Sequence, residues 1–259
     1  MSETDATDEL AEGTLLSHLI ELRTRLLKMF GAVIGVFIVL VPFANRIFSV
    51  VAQPLVDVLP GQKMIATSVT APLLTPFKLT FFVSLLVAMP VVLYQLWAFV
   101  APGLYKNEKR FAFPLLGSSI FLFYAGAAFA YFVVFPLVFG FFVKITPTDV
   151  EMTTDISQYL DFVTMIVLAF GLAFETPIAT VLTVWTGLTT PDKLAKARPY
   201  VFLLAFVVGM LLTPPDIISQ TLLAVPVYLL YEVGIFMSRL FGRKSAEAES
   251  DDEAVTTDG

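Results

Sequence analysis

Residues 167–182 read VLAFGLAFETPIATVL, and Glu175 is the one charged residue among them. The apolar register extends back to Asp161, 14 residues before Glu175, and forward to Trp185, 10 residues after it. That length exceeds the roughly 20 residues an α-helix needs to cross a bilayer. A carboxylate at such depth costs about 2.5 kcal/mol or more even on lenient insertion scales, so something must offset it. Gly171 and Ala179, one turn to either side, are small enough to leave a groove or to admit another helix closely. Pro177 can kink the helix at the same level.

The rest of the chain has the same character. Hydrophobic residues make up 57% of its 259 residues and charged residues 15%, against roughly one-half and one-quarter in soluble domains. Six apolar runs qualify as helices: 26–43, 79–100, 111–135, 159–185, 200–212 and 218–237. The expected fold is an all-α integral membrane protein of six transmembrane helices with a concave groove, its fifth and sixth helices short. The fifth run, YVFLLAFVVGMLL, has 13 residues and rises about 20 Å, less than the roughly 30 Å of a hydrocarbon core. Pro54, Pro60, Pro72, Pro76 and Pro147 break the loops at 44–76 and 136–158 into short helices and turns.

Charge gives the orientation. Of 16 lysines and arginines, 12 flank one set of alternate loops: Arg23, Arg25, Lys28, Lys106, Lys109, Arg110, Lys193, Lys196, Arg198, Arg239, Arg243 and Lys244. The positive-inside rule then puts both termini in the cytoplasm. Half of the 22 acids lie in the two tails, which read as solvated disorder at 1–14 and 241–259 around a membrane domain at 15–240. The acidic N-terminus shows no basic segment leading into an apolar core and cleavage site, so no removable signal peptide is expected.

Few residues are equipped for chemistry. Cysteine is absent, which excludes disulfides and thiolate metal sites. His18 is the single histidine, too little for a metal centre or a catalytic triad. There is no phosphate-binding loop, zinc-protease or nucleophile-elbow motif, so neither a cofactor nor a catalytic site is expected. What stands out is charge in awkward places. TLLSHLIELRTRLL, residues 14–27, projects as an amphipathic interfacial helix with Leu15, Leu16, Leu19, Ile20, Leu22, Leu26 and Leu27 on one face. Arg23 falls in the middle of that face, where it either snorkels to lipid phosphates or meets a buried carboxylate. Glu21 can pair with Arg25 one turn on. Glu108 sits among basic residues in LYKNEKR, and Gln95, less than two turns before that loop, can donate to a carboxylate. Asp216 follows two prolines, where it can cap the last helix. One reading of Glu175 is the relay of a proton-coupled small-molecule transporter, although no inverted repeat accompanies it.

The order of motifs resembles one family. SHLIELRTRLL (17–27), MIATSVTAPLLTPFKLTF (64–81), MPVVLYQLWAFVAPGLYKNEKR (89–110), YFVVFPLVFGFF (131–142), AFGLAFETPI (169–178) and the stretch from Arg198 to Glu232 together look like the TatC family, the multi-spanning receptor of the twin-arginine protein translocase. The resemblance implies a receptor in the cytoplasmic (inner) membrane. Its substrates would be folded precursor proteins whose signal peptides carry two adjacent arginines, and it would use the proton-motive force. It implies that Glu21 and Glu108 are the recognition acids, with Arg23 a third functional position. It gives functional weight to Glu175 inside the membrane, to Asp216 and Gln220 at the outer hairpin and to Pro54 in the outer loop. Implied partners are TatB-like and TatA-like single-span proteins in homo- and hetero-oligomers within the lipid bilayer, with no nucleic acid. Gln95 is the expected resting partner of Glu175.

Overall fold

The computed structural model describes residues 3–58, 64–100, 109–147, 153–212 and 217–257, and within them the chain is almost wholly helical, apart from short connecting segments. The helices are α1 (Glu3–Leu40), α2 (Ala44–Val58), α3 (Ala71–Val100), α4 (Lys109–Phe129), α5 (Phe135–Ile145), α6 (Ile156–Ala173), α7 (Thr176–Trp185), α8 (Pro191–Lys196), α9 (Arg198–Leu212) and α10 (Ile217–Thr257). Five stretches are long and apolar enough to cross a membrane: Leu19–Asp57, Ala71–Phe99, Pro114–Ile145, Ile156–Trp185 and Gln220–Leu240. The remaining run, the fifth in the chain, is α9, at 15 residues the short helix that its sequence predicts.

The ends differ from the sequence reading in an instructive way. Several helices outrun their apolar runs, α1 and α3 at the start and α10 at the end, because nothing in the flanking residues there stops hydrogen bonding where hydrophobicity stops; α3, α7 and α9 nevertheless end with theirs, at Val100, Trp185 and Leu212. The third crossing continues past residue 135 through a π-helical turn, Ala130–Val134, into α5. Pro136 sits in the first turn of α5; a proline has no N–H for the preceding turn, and a π turn is one way to absorb that loss. The last crossing, at 21 residues, is the shortest of the five long stretches, while α10 itself carries on to Thr257. Likewise α1 starts at Glu3.

Two compact units make up the chain: Met1–Val50 with Leu73–Ile120, and Val51–Pro72 with Phe121–Gly259. In the first, Phe37 of α1 meets Phe81 of α3 edge to face at 5.8 Å. Thr80 and Ser84 of α3 are wholly buried and donate back to the carbonyls of Pro76 and Thr80, each at 2.7 Å. Such back-bonding satisfies a hydroxyl where no water is available. The second unit is built round aromatic rings: Phe139 meets Phe135, Tyr159 and Phe162, and Phe135 also meets Phe162. Its helices approach closely at glycines: a side chain at Gly126 would collide with the Phe170 carbonyl, and one at Gly234 with Thr180 and Pro177. These contacts fix α10 against α7 and α4 against α6. Gly187, with φ at 71°, lets the chain turn left-handed after α7.

Candidate functional site

The first unit assembles Glu21, Arg25 and Gln95. One turn separates Glu21 from Arg25 along α1, the spacing at which side chains meet. Arg25 donates from Nε at 2.9 Å, and also from Nη2, to the same carboxylate oxygen, Glu21 Oε1. Its Nη1 donates to the side-chain carbonyl oxygen of Gln95 on α3 at 3.3 Å. The side chain of Arg25 is 20% exposed and that of Glu21 38%, so the guanidinium is the inner member and the carboxylate the more accessible one. Arg23 is exposed, as are Leu19, Ile20, Leu26 and Leu27 of the apolar face. Glu108 lies outside the described residues. The pairing of Gln95 with Glu175 expected from the sequence would join the two units; within its own unit Gln95 serves Arg25.

Glu175 occupies a break in a helix. α6 ends at Ala173 and α7 begins at Thr176, with Pro177 in its first turn. The Glu175 N–H donates to the Leu172 carbonyl at 3.0 Å, and its own carbonyl accepts from Ala179 at 2.9 Å. The kink expected from Pro177 is therefore realised as a two-residue interruption, and the half-buried Glu175 side chain emerges from it. Of the two small neighbours, Gly171 is covered by the Phe123 ring, so it admits a helix rather than leaving a groove, while Ala179 is exposed.

Two polar clusters in the second unit escaped the sequence reading. Arg198, at the start of α9, donates from Nη2 to Glu232 Oε2 at 2.7 Å, and the Tyr228 hydroxyl donates to Glu232 Oε1 at 2.9 Å. The Tyr231 hydroxyl donates to the Leu194 carbonyl at 2.8 Å. Glu232 and its neighbour Tyr231 thus clamp α9 and α8 to α10. The second cluster lies between the α2–α3 loop and the N-terminus of α6. Asp155 caps α6 by accepting from the N–H groups of Ser157 (2.8 Å) and Gln158 (3.2 Å), and its other oxygen accepts from the N–H (2.9 Å) and hydroxyl (2.7 Å) of Thr67. A short parallel bridge adjoins it, Ile65 N–H to the Thr154 carbonyl and Ile156 N–H to the Ile65 carbonyl, both 3.0 Å. The Thr67 donors above all, with the α6 amides, hold the Asp155 carboxyl down at about 2 against the opposing effect of burial.

Of the remaining expected positions, Pro54 is buried inside α2, beside Val51, whose carbonyl accepts the Tyr159 hydroxyl at 2.8 Å. Gln220 opens the last crossing with its backbone packed on Gly209 of α9: a methyl at Gly209 would sit 3.4 Å from the Gln220 carbonyl oxygen. Asp216 lies outside the described residues. Among the described residues no three His, Cys, Asp or Glu side chains gather where they could hold a metal ion.

Comparison with known proteins matches this arrangement over nearly its whole length. The family described as "Sec-independent protein translocase protein (TatC)" matches residues 17–226. The TatC protein of Escherichia coli K12 is 57% identical over 236 residues, 91% of this chain and 92% of that protein. That of Aquifex aeolicus is 40% identical over 238 residues, covering 91% and 98% of the two chains. A crystal structure described as the twin-arginine translocase receptor TatC superposes with a TM-score of 0.78 at 40% identity, covering 86% of this chain and 98% of that one.

Proposed function

The chain belongs to the TatC family of Sec-independent protein translocase proteins, so it is a multi-pass membrane component of a bacterial translocase and not an enzyme; from that premise we propose that it is the receptor for twin-arginine signal peptides. The small-molecule transporter reading of Glu175 falls with the family assignment. In this proposal both termini are cytoplasmic, and Glu21 and Glu108 each receive one arginine of the pair at the cytoplasmic face of the inner membrane. Arg23 orients one of the two acids or meets a peptide carbonyl. The carrying observation is at Glu21, whose accessible carboxylate already accepts two N–H groups of a guanidinium, that of Arg25. A planar guanidinium offers this forked, charge-assisted geometry and an ammonium does not.

The apolar part of the signal then lies along a groove of the membrane domain, where Glu175 meets it or a partner's helix. The partners are single-span TatB-like and TatA-like proteins, assembling with the loaded receptor at the expense of the proton-motive force. Asp216 and Gln220 act on the outer side in the hairpin before the last crossing, and Pro54, inside α2 rather than in a loop, acts on the same side.

Photocrosslinking a twin-arginine signal peptide to membranes tests the assignment. Each charge-assisted bond is worth about 1.5–3 kcal/mol, so Glu21→Ala or Glu108→Ala is expected to cut crosslinking by about tenfold or more; undiminished crosslinking rejects the recognition acids. Glu175 is tested separately by export of a folded precursor. Glu175→Gln keeps the shape and hydrogen bonding but cannot titrate, and we expect it to retain export that Glu175→Leu loses. Loss with Gln as well assigns Glu175 a protonation step instead.

A further inference from the structure

The carboxylate proposed to receive a substrate arginine is not vacant in the resting chain. Arg25 spends two of its three nitrogens on Glu21 Oε1 and the third on Gln95. An ordinary i,i+4 pair on an exposed helix face needs no third anchor, and its members fluctuate. Here Gln95, 70 residues away and buried, holds the guanidinium from the far side. Arg25 is also the less exposed member of the pair. The geometry points to Arg25 as an internal occupant of the recognition carboxylate, an autoinhibitory guanidinium that an incoming signal-peptide arginine must displace from Glu21.

Binding is then an exchange. The substrate guanidinium replaces the two N–H donors on Oε1, and Arg25 stays on the Gln95 carbonyl oxygen. Displacing Arg25 costs the same for any cationic ligand, so it leaves the ratio of arginine to lysine affinity untouched and lowers both. Its effect is a threshold. A twin-arginine peptide, with forked bonds to spare, stays above the working affinity, and weaker cationic sequences fall below it.

This inference rests on the proposed role of Glu21, and its test separates the two. The measurement is the affinity of fluorescent twin-arginine and twin-lysine signal peptides for the full-length receptor in nanodiscs, in the wild type, Arg25→Gln, Glu21→Gln and the double variant. Arg25→Gln is expected to raise both affinities by the same factor, about threefold to fivefold for a partly exposed pair. In the Glu21→Gln background the same change is expected to do nothing. If Arg25→Gln lowers both affinities, Arg25 positions Glu21 and the inference is wrong. If the rise persists without Glu21, simple charge repulsion accounts for it and the inference is again wrong. If Glu21→Gln alone binds as the wild type does, it is the recognition role of Glu21 that fails. Arg25→Lys keeps the charge while losing the fork to Glu21 and the reach to Gln95; it covers the case in which Arg25→Gln does not fold, with a smaller rise expected and a fall again overturning the proposal.

Discussion

Gly234→Leu is expected to abolish accumulation of the folded protein, while Gly31→Leu in the first crossing leaves it intact. Gly234 faces α7, where an added Cβ would overlap the Thr180 hydroxyl and come within 3.0 Å of the Pro177 Cα. Neither neighbour can yield. Pro177 belongs to the first turn of α7, with φ fixed by its ring, and the Thr180 hydroxyl is committed to the Pro177 carbonyl at 2.8 Å. Overpacking a helix contact costs about 1–3 kcal/mol for small insertions, and a leucine must instead separate α10 from α7 altogether. Even Gly234→Ala, which gains about 1 kcal/mol of helix propensity, is expected to come out destabilised. At Gly31 nothing lies within 4 Å of the added atom, so both substitutions have room there. Size-exclusion profiles and thermal unfolding midpoints of the detergent-solubilised variants check this contrast. A Gly234→Leu protein as monodisperse and stable as the wild type would show that α7 and α10 are not packed in this way. The contact lies two residues from Glu175, so its loss also displaces the break from which that carboxylate emerges.

The sequence made the crossings legible because apolar runs between charges are a direct consequence of the bilayer's thickness. The break at Glu175 was legible too, since a lipid-soluble run that places a costly carboxylate two residues before a proline marks its own weak point. Helix ends were not, because a helix stops where capping and backbone geometry stop it and not where hydrophobicity does. The polar clusters divide in the same way. Glu21 and Arg25 are neighbours in sequence, so their pairing could be read; the third member, Gln95, is 70 residues off and gave no local signal. Glu232 and Arg198 are 34 residues apart, so their pairing leaves no local signal, and Arg198 reads from sequence only as an orientation charge. Asp155 was missed altogether. A single aspartate in a loop is the commonest of surface residues, and its partner Thr67 is 88 positions away.

Asp155 nevertheless carries the second large effect. Its carboxylate accepts four hydrogen bonds, two from Thr67 and two from the first turn of α6, so one side chain both caps a helix and closes the loop between α2 and α3 upon it. Asp155→Ala is expected to release that loop, with amide exchange at Ile65, Thr67 and Ile156 accelerated about tenfold or more and precursor export lost. Asp155→Asn is expected to fail nearly as badly, because its amide nitrogen must face two donors and one face of the site is left unsatisfied. The pH dependence follows from the same four bonds. They favour the ionised form and hold the carboxyl at about 2, below its ordinary 3.8. A group depressed in the folded state contributes fully above its unfolded value and loses that contribution as pH falls through the folded one. Exchange at these amides, corrected for its intrinsic pH dependence, should therefore be flat from pH 8 to about 5 and rise only between about 4 and 2. Protection lost near neutral pH would mean that a histidine or a shifted carboxylate elsewhere governs the closure, whereas protection unchanged in Asp155→Ala would leave the Ile65–Thr154 bridge as its sole cause.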